Sequence, residues 1–269
     1  MTTLAPAAAA TASSRPDTGV RLSFARVLRS EMIKITTLRS TWWALAVAAA
    51  LSVGISALIA AASSQFAPGY PTINAILSPT QFTMLVAGIL GAIVITGEYS
   101  TGMIRSTLTA QPRRGAILAA KAIVVSALVA LSTAVTYAIA IAVTAPLLST
   151  PIDWADASMS WVPLLFGVLS MVCFALIGLG FGFVVRNGAG AIAATVGVLF
   201  VLPIVFSLFT LFGDGWRWLV DLTQYLPMNA ASTLSSPGAE DLLPSLLALA
   251  VWVIAPVVGG WLILRSRDA

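Results

Sequence analysis

Six apolar runs divide this chain, at about 42–62, 80–97, 116–146, 161–185, 190–212 and 244–264. Each is close to or above the ~20 residues a helix needs to cross a ~30 Å hydrocarbon core. In that medium a backbone N–H or C=O finds no water, so each run has to close its own hydrogen bonds as a helix. The fold class expected is all-α, a polytopic membrane protein with six transmembrane helices. Composition agrees, with 9% charged residues where soluble domains carry about 25%. The third run is long enough to tilt, and Lys121 near its start is expected to reach the head groups by snorkelling.

The basic residues fix an orientation. Thirteen of the fourteen Lys and Arg precede the first run, lie between the second and third or in the third's first turns, or sit at Arg186 and after the last run. Only Arg217 falls on the other side, which carries Asp153, Asp156, Asp214, Asp221, Glu240 and Asp241. Basic loops stay cytoplasmic, so both termini and the Gly97–Lys121 loop are expected there. The same blocks account for the net charge of +4 as an orientation signal, and nucleic acid is not expected as a partner.

Residues 1–20 are small, polar and proline-containing and read as a disordered cytoplasmic tail. Residues 21–41 alternate Leu22, Phe24, Val27, Leu28, Ile35 and Leu38 with Arg21, Arg26, Arg29, Glu31, Lys34 and Arg39. Such a segment suits an amphipathic helix in the interface, its cations among anionic membrane lipids. The remainder, 42–269, is one six-helix membrane domain beginning at the interfacial pair Trp42 and Trp43.

Between the second and third runs, Glu98 precedes Ser100 and Thr101, either of which is placed to cap a short helix starting near Gly102. Pro112 closes that helix. It carries Met103, Ile104, Thr107 and Leu108 on one side and Arg105 and Ser106 on the other, with Glu98 placed to favour its start through the helix dipole.

In the fourth run Gly178 and Gly182 form a GxxxG pair that lets two helix backbones approach. A dinucleotide fingerprint is rejected, because Phe183 stands where its last glycine belongs. Pro203 and Pro256 are positioned to bend the fifth and sixth runs. From Trp216 to Leu226 the aromatic spacing fits a short helix resting on the far leaflet or a plain aromatic belt. No ionisable side chain lies midway along a run, and Ser52, Ser56, Ser132, Thr136 and Tyr137 read as packing hydroxyls. The chain has no histidine and a single cysteine, Cys173. Haem or zinc ligation through histidine, a Ser-His-Asp triad and an intramolecular disulfide are therefore all excluded.

The stretch Gly97-Glu98-Tyr99-Ser100-Thr101-Gly102-Met103-Ile104-Arg105, with Leu108-Thr109, Pro112-Arg113-Arg114 and Lys121, resembles the cytoplasmic loop of type-2 ABC transporter permeases. Ser30-Glu31-Met32-Ile33-Lys34 and Leu38 to Trp43 are similar to that family's elbow, and Tyr225-Leu226-Pro227 to its last external segment. Position 103 is Met where the family often has Thr.

The resemblance implies the membrane half of an ATP-driven exporter in the bacterial plasma membrane, carrying a peptide antibiotic, drug or lipid. Its partners would be a pair of ABC ATPase subunits and a second permease copy or a related permease. Glu98, Gly102, Met103, Ile104, Arg105 and Leu108 would couple it to the ATPase, and Glu31, Lys34 and Arg39 would form the elbow. The chain itself has no GxxxxGK[ST] phosphate loop, so no catalytic residue, cofactor or metal is expected in it, and ATP would be bound by the partner. The alternative is a membrane immunity or sensor protein that docks a cytoplasmic partner through the same loop without transporting.

Overall fold

In the computed structural model, which describes residues 23–266 except 68, 112 and 149, every regular element is helical. The expected tail at 1–20 and Pro112 fall outside the described residues. Helix α1 (Phe24–Thr37) begins where the Ser23 hydroxyl accepts the Arg26 N–H. It stops at Leu38, whose extended backbone turns the chain into α2 (Arg39–Phe66). Trp42 stays beside this break because its indole N–H donates to the Thr36 carbonyl at 2.7 Å.

After α2 come the short α3 (Thr72–Leu77) and then α4 (Thr80–Ser100), divided at Pro79. The chain continues through α5 (Met103–Ala110), α6 (Arg114–Thr144), α7 (Trp161–Val185) and α8 (Gly188–Val196). A single π turn over Gly197–Val201 leads into α9 (Leu202–Leu208). Pro203 has no N–H to donate, and the widened turn, in which the Leu202 N–H reaches Gly197 O, takes up the resulting gap. By contrast α12 (Leu243–Ser266) runs through Pro256 as one helix.

Among the described residues six helical stretches are long and apolar enough to cross a membrane: Arg39–Phe66, Thr72–Ser100, Arg114–Thr144, Trp161–Val185, Gly188–Phe212 and Leu243–Ser266. The first starts three residues ahead of Trp42. The second reaches beyond residue 97 because Glu98 to Ser100 continue the helix.

The far segment, for which the sequence left a short helix or a plain aromatic belt open, divides into α10 (Arg217–Leu222) and α11 (Pro227–Leu234). Extended Leu226 is buried between them, Pro227 occupies the first turn of α11, and the Trp252 indole holds the Tyr225 carbonyl at 3.0 Å.

Helix α7 is the hub, packing on α4, α12 and α6. The core runs through Met84, Val125, Phe174, Leu199, Leu234 and Leu249, contributed by six different elements. Small residues make the tightest contact possible. A Cβ at Gly178 would lie 1.9 Å from Gly88 O, and one at Gly91 1.9 Å from Ala175 O, so α4 and α7 touch backbone to backbone. At Gly182 the neighbour is the Ile95 side chain, at 2.4 Å. Gly180 faces the other way, onto Pro256 of α12.

Candidate functional site

The end of α4 and the starts of α5 and α6 meet α1 on one side of the helical assembly. Glu98, in the last turn of α4, is 3% exposed, and Glu31 on α1 is 4% exposed. Between them lies Lys121, eight residues into α6 and 1% exposed. Its ammonium donates to Glu31 Oε2 and Glu98 Oε1, each at 2.6 Å. Lys34, one turn after Glu31, donates to Glu31 Oε1 at 2.7 Å and Glu98 Oε1 at 2.9 Å. Its third donor direction meets the Thr107 hydroxyl of α5 at 3.5 Å.

Two carboxylates and two ammoniums thus alternate in a ring with no net charge. Taking each ion out of water costs several kcal/mol, and the reciprocal pairing offsets that cost. The arrangement consequently fixes relative position more than it adds stability: α1, α4 and α6 fit together in the one register that leaves no ion alone. Burial works against the charge on Lys34, but hydrogen bonds to Glu31 and Glu98 and the attraction of both carboxylates outweigh it. The Lys34 pKa is held above the usual lysine value, so its charge persists throughout the physiological range.

This geometry corrects three expectations. Lys121 does not snorkel to head groups; it is buried, because two carboxylates reach it from other helices. Glu98 does not serve the start of α5, since its carboxylate is turned into the cluster. Ser100 and Thr101 do not cap α5 either. Both hydroxyls bond backward to Gly97 O, at 3.0 and 2.8 Å, and finish α4. What starts α5 is Gly102, with φ at 71°, a left-handed conformation that costs other residues roughly 1 kcal/mol.

The apolar face of α5 is divided. Ile104 is 3% exposed and packs with Ile95, Leu118, Leu179 and Phe183, and half-buried Leu108 lies against the same group. Met103 and Arg105 remain exposed. Of the elbow residues, Glu31 and Lys34 join the cluster, whereas Arg39 stands apart, exposed at the start of α2. Gly178 and Gly182 lie elsewhere, on the α4 contact.

Two arginines extend the site toward α12. Arg114 donates to the carbonyl of Leu264, and Arg186 donates to that of Ile263 at 2.9 Å while lying 5.5 Å over the Tyr99 ring. These are carbonyls of a last helical turn, where guanidinium groups complement both the vacant acceptors and the helix dipole. Arg186 itself sits at φ 57° in the turn between α7 and α8. In the sequence Arg186 stands for orientation alone and Arg114 for orientation and the resemblance of its loop; a basic residue bordering each neighbouring run is the available signal for this clamp.

No curated protein matches the chain. The sequence signature of a family described as ABC-2 family transporter protein matches residues 26–263, from the first turn of α1 to the last turns of α12. That match takes in all six spans and every member of the charge cluster, and the chain belongs to the ABC-2 family of transporter proteins, as one of its multi-pass membrane permeases.

Proposed function

We propose that this chain is the permease of an exporter driven by separate ABC ATPase subunits, which dock on α5, and that it works beside a second copy or a related permease. The observation that carries this reading is the joint between α5 and the spans. Gly102 sets the angle of α5, Ile104 and Leu108 root it in the chain's own core, and the buried cluster ties its base to α1, α4 and α6. A push on α5 from an ATPase closing around ATP would therefore move three helices together. Among the described residues no charged side chain lies midway along a span, which favours an apolar or amphipathic cargo (peptide antibiotic, drug or lipid) over an ion.

The ATPase contact falls to exposed Met103 and Arg105. Burying one such apolar side chain is worth about 1.5–3 kcal/mol. Met103→Asp with Arg105→Glu is thus expected to reduce retention of phosphate-loop ATPase chains by roughly 10- to 100-fold, at about 1.4 kcal/mol per tenfold. The permease itself should purify normally. Parental retention of the ATPase in that variant would remove α5 as the dock.

The proposal also places the α5 side in the cytoplasm of a bacterial cell, both termini included, on the strength of the basic residues gathered there. In a Cys173→Ala background, cysteines at exposed Ser64 and Ser158 should react in intact cells with a thiol reagent that does not cross the membrane. A cysteine at Thr109 should react only after permeabilisation. Labelling of Thr109→Cys in intact cells would invert the topology and sink the coupling proposal with it.

A further inference from the structure

At the other end of α4 from Glu98, about 26 Å away along the helix from Gln81 at 1.5 Å per residue, lies a cavity of about 250 Å³ between the α3–α4 junction and α11. Its walls are built from neutral hydrogen-bonding groups. Asn74 and Gln81 present amides from one side, and Ser232, Ser235 and Ser236 present hydroxyls from the other. Among the described residues no Asp, Glu, Lys or Arg lines it. The floor is apolar and adaptable, formed by Met84, Phe174 and Met228.

Two wall hydroxyls, those of Thr80 and Ser235, are left over by the fold. Ser235 is 8% exposed, and its hydroxyl oxygen is buried without a hydrogen-bond partner in the protein, although the neighbouring hydroxyl of Ser236 is satisfied by Ser232 O at 2.8 Å. A buried hydroxyl in an otherwise satisfied helix end calls for a polar group from outside. Gln81, Ser232 and Ser236 are exposed, so the cavity has a mouth.

We infer that this cavity is a binding site for an uncharged molecule, or the uncharged head of a larger one, that combines amide or hydroxyl groups with a short apolar portion. The amides of Asn74 and Gln81 both donate and accept, which matches hydroxyl and carboxamide groups in either sense. A carboxylate or an ammonium would leave its water for a lining with no opposite charge to replace it. Met84, Met228 and Phe174 take the apolar portion. The inference goes beyond the transport reading and stands without it, because it concerns binding at the side away from α5.

The test uses the full chain in lipid nanodiscs with Cys173→Ala and Ser236→Cys, and follows the rate of modification by a polar thiol reagent. The probes are N-acetyl-leucinamide and methyl glucoside, as neutral amide and neutral polyol, with N-acetyl-leucine and N-acetyl-lysinamide as their anionic and cationic counterparts. A bound probe slows labelling by the factor 1 + [L]/Kd, so about fourfold Kd gives about fivefold protection. Protection by either neutral probe supports the site and says which chemistry it prefers, provided that labelling at a Ser64→Cys control is unchanged. Adding Ser235→Ala should then weaken protection several-fold while leaving the unprotected rate at position 236 as it was. If no probe protects, the cavity holds water alone and the inference falls. Equal protection by the charged probes, or no effect of Ser235→Ala, also overturns it.

Discussion

Lys121→Met is expected to destabilise the protein by about 3–5 kcal/mol, the usual cost of breaking a buried ion pair by removing one partner. Methionine nearly matches the lysine stem in length, so packing is largely kept and the loss is electrostatic. Without the Lys121 ammonium, 2.6 Å from both carboxylates, Glu31 and Glu98 share Lys34 alone, and one negative charge is buried without compensation. Glu98→Gln should leave the opposite imbalance. The double variant Lys121→Met, Glu98→Gln removes one charge of each sign and should recover much of the loss, a clear departure from additivity. The readout is the thermal midpoint and inactivation half-life of the detergent-purified chain, quantities that remain meaningful where unfolding is irreversible. If Lys121→Met were as stable as the parent, or if the two single losses simply summed, the four groups would not be acting as a unit.

An effect of similar or greater size is expected at the α4–α7 contact. Even alanine at Gly178 would set its Cβ 1.9 Å from the carbonyl oxygen of Gly88, and the obstacle is helix backbone that cannot rotate aside. Inserting bulk into a packed core costs about 1–3 kcal/mol when side chains can shift. Here the helices themselves must separate, so Gly178→Leu and Gly91→Leu should exceed that range and yield aggregated or degraded chain. Gly182→Ile should be milder, since it meets the side chain of Ile95. Gly54→Leu is the control, with no atom within 4 Å of its Cβ position. Fluorescence-detected size exclusion of tagged variants compares all four directly. A monodisperse, parental profile for Gly178→Leu would contradict the close approach of the two helices.

The helices were legible because the requirement that forms them is one-dimensional: a run of apolar residues long enough to cross. Their joints are not of that kind. Lys121 lies near the start of its helix, and read along the chain it belongs among head groups. Its partners are 23 and 90 residues away, and only the folding of α1 beneath α6 brings Glu31 to it. A trace was nonetheless present, for Glu31 and Glu98 are two rare acids on the side that holds nearly all the Lys and Arg. Periodicity located the apolar face of α5 but not its direction, and Ile104 turned inward because Ile95, Leu118 and Phe183 form a pocket that no local pattern describes. Gly178 and Gly182 announced a close contact, yet naming α4 required Gly88 and Gly91, whose three-residue spacing went unread. The cavity beside α11 was the least accessible of all, since its two walls lie more than 140 residues apart in sequence.

The charge ring also has a consequence for the order in which the protein is made. Chains emerge N-terminus first, so Glu31 and Lys34 leave the ribosome before any of their distant partners exist. Insertion of α4 then adds Glu98 and leaves the ring itself with two acids for one base. Balance returns only when α6 delivers Lys121, 90 residues after Glu31. A nascent chain ending between these points lacks the Lys121 ammonium that pairs with both carboxylates in the finished protein. The first helix to be synthesised is therefore locked in place only when the third span arrives.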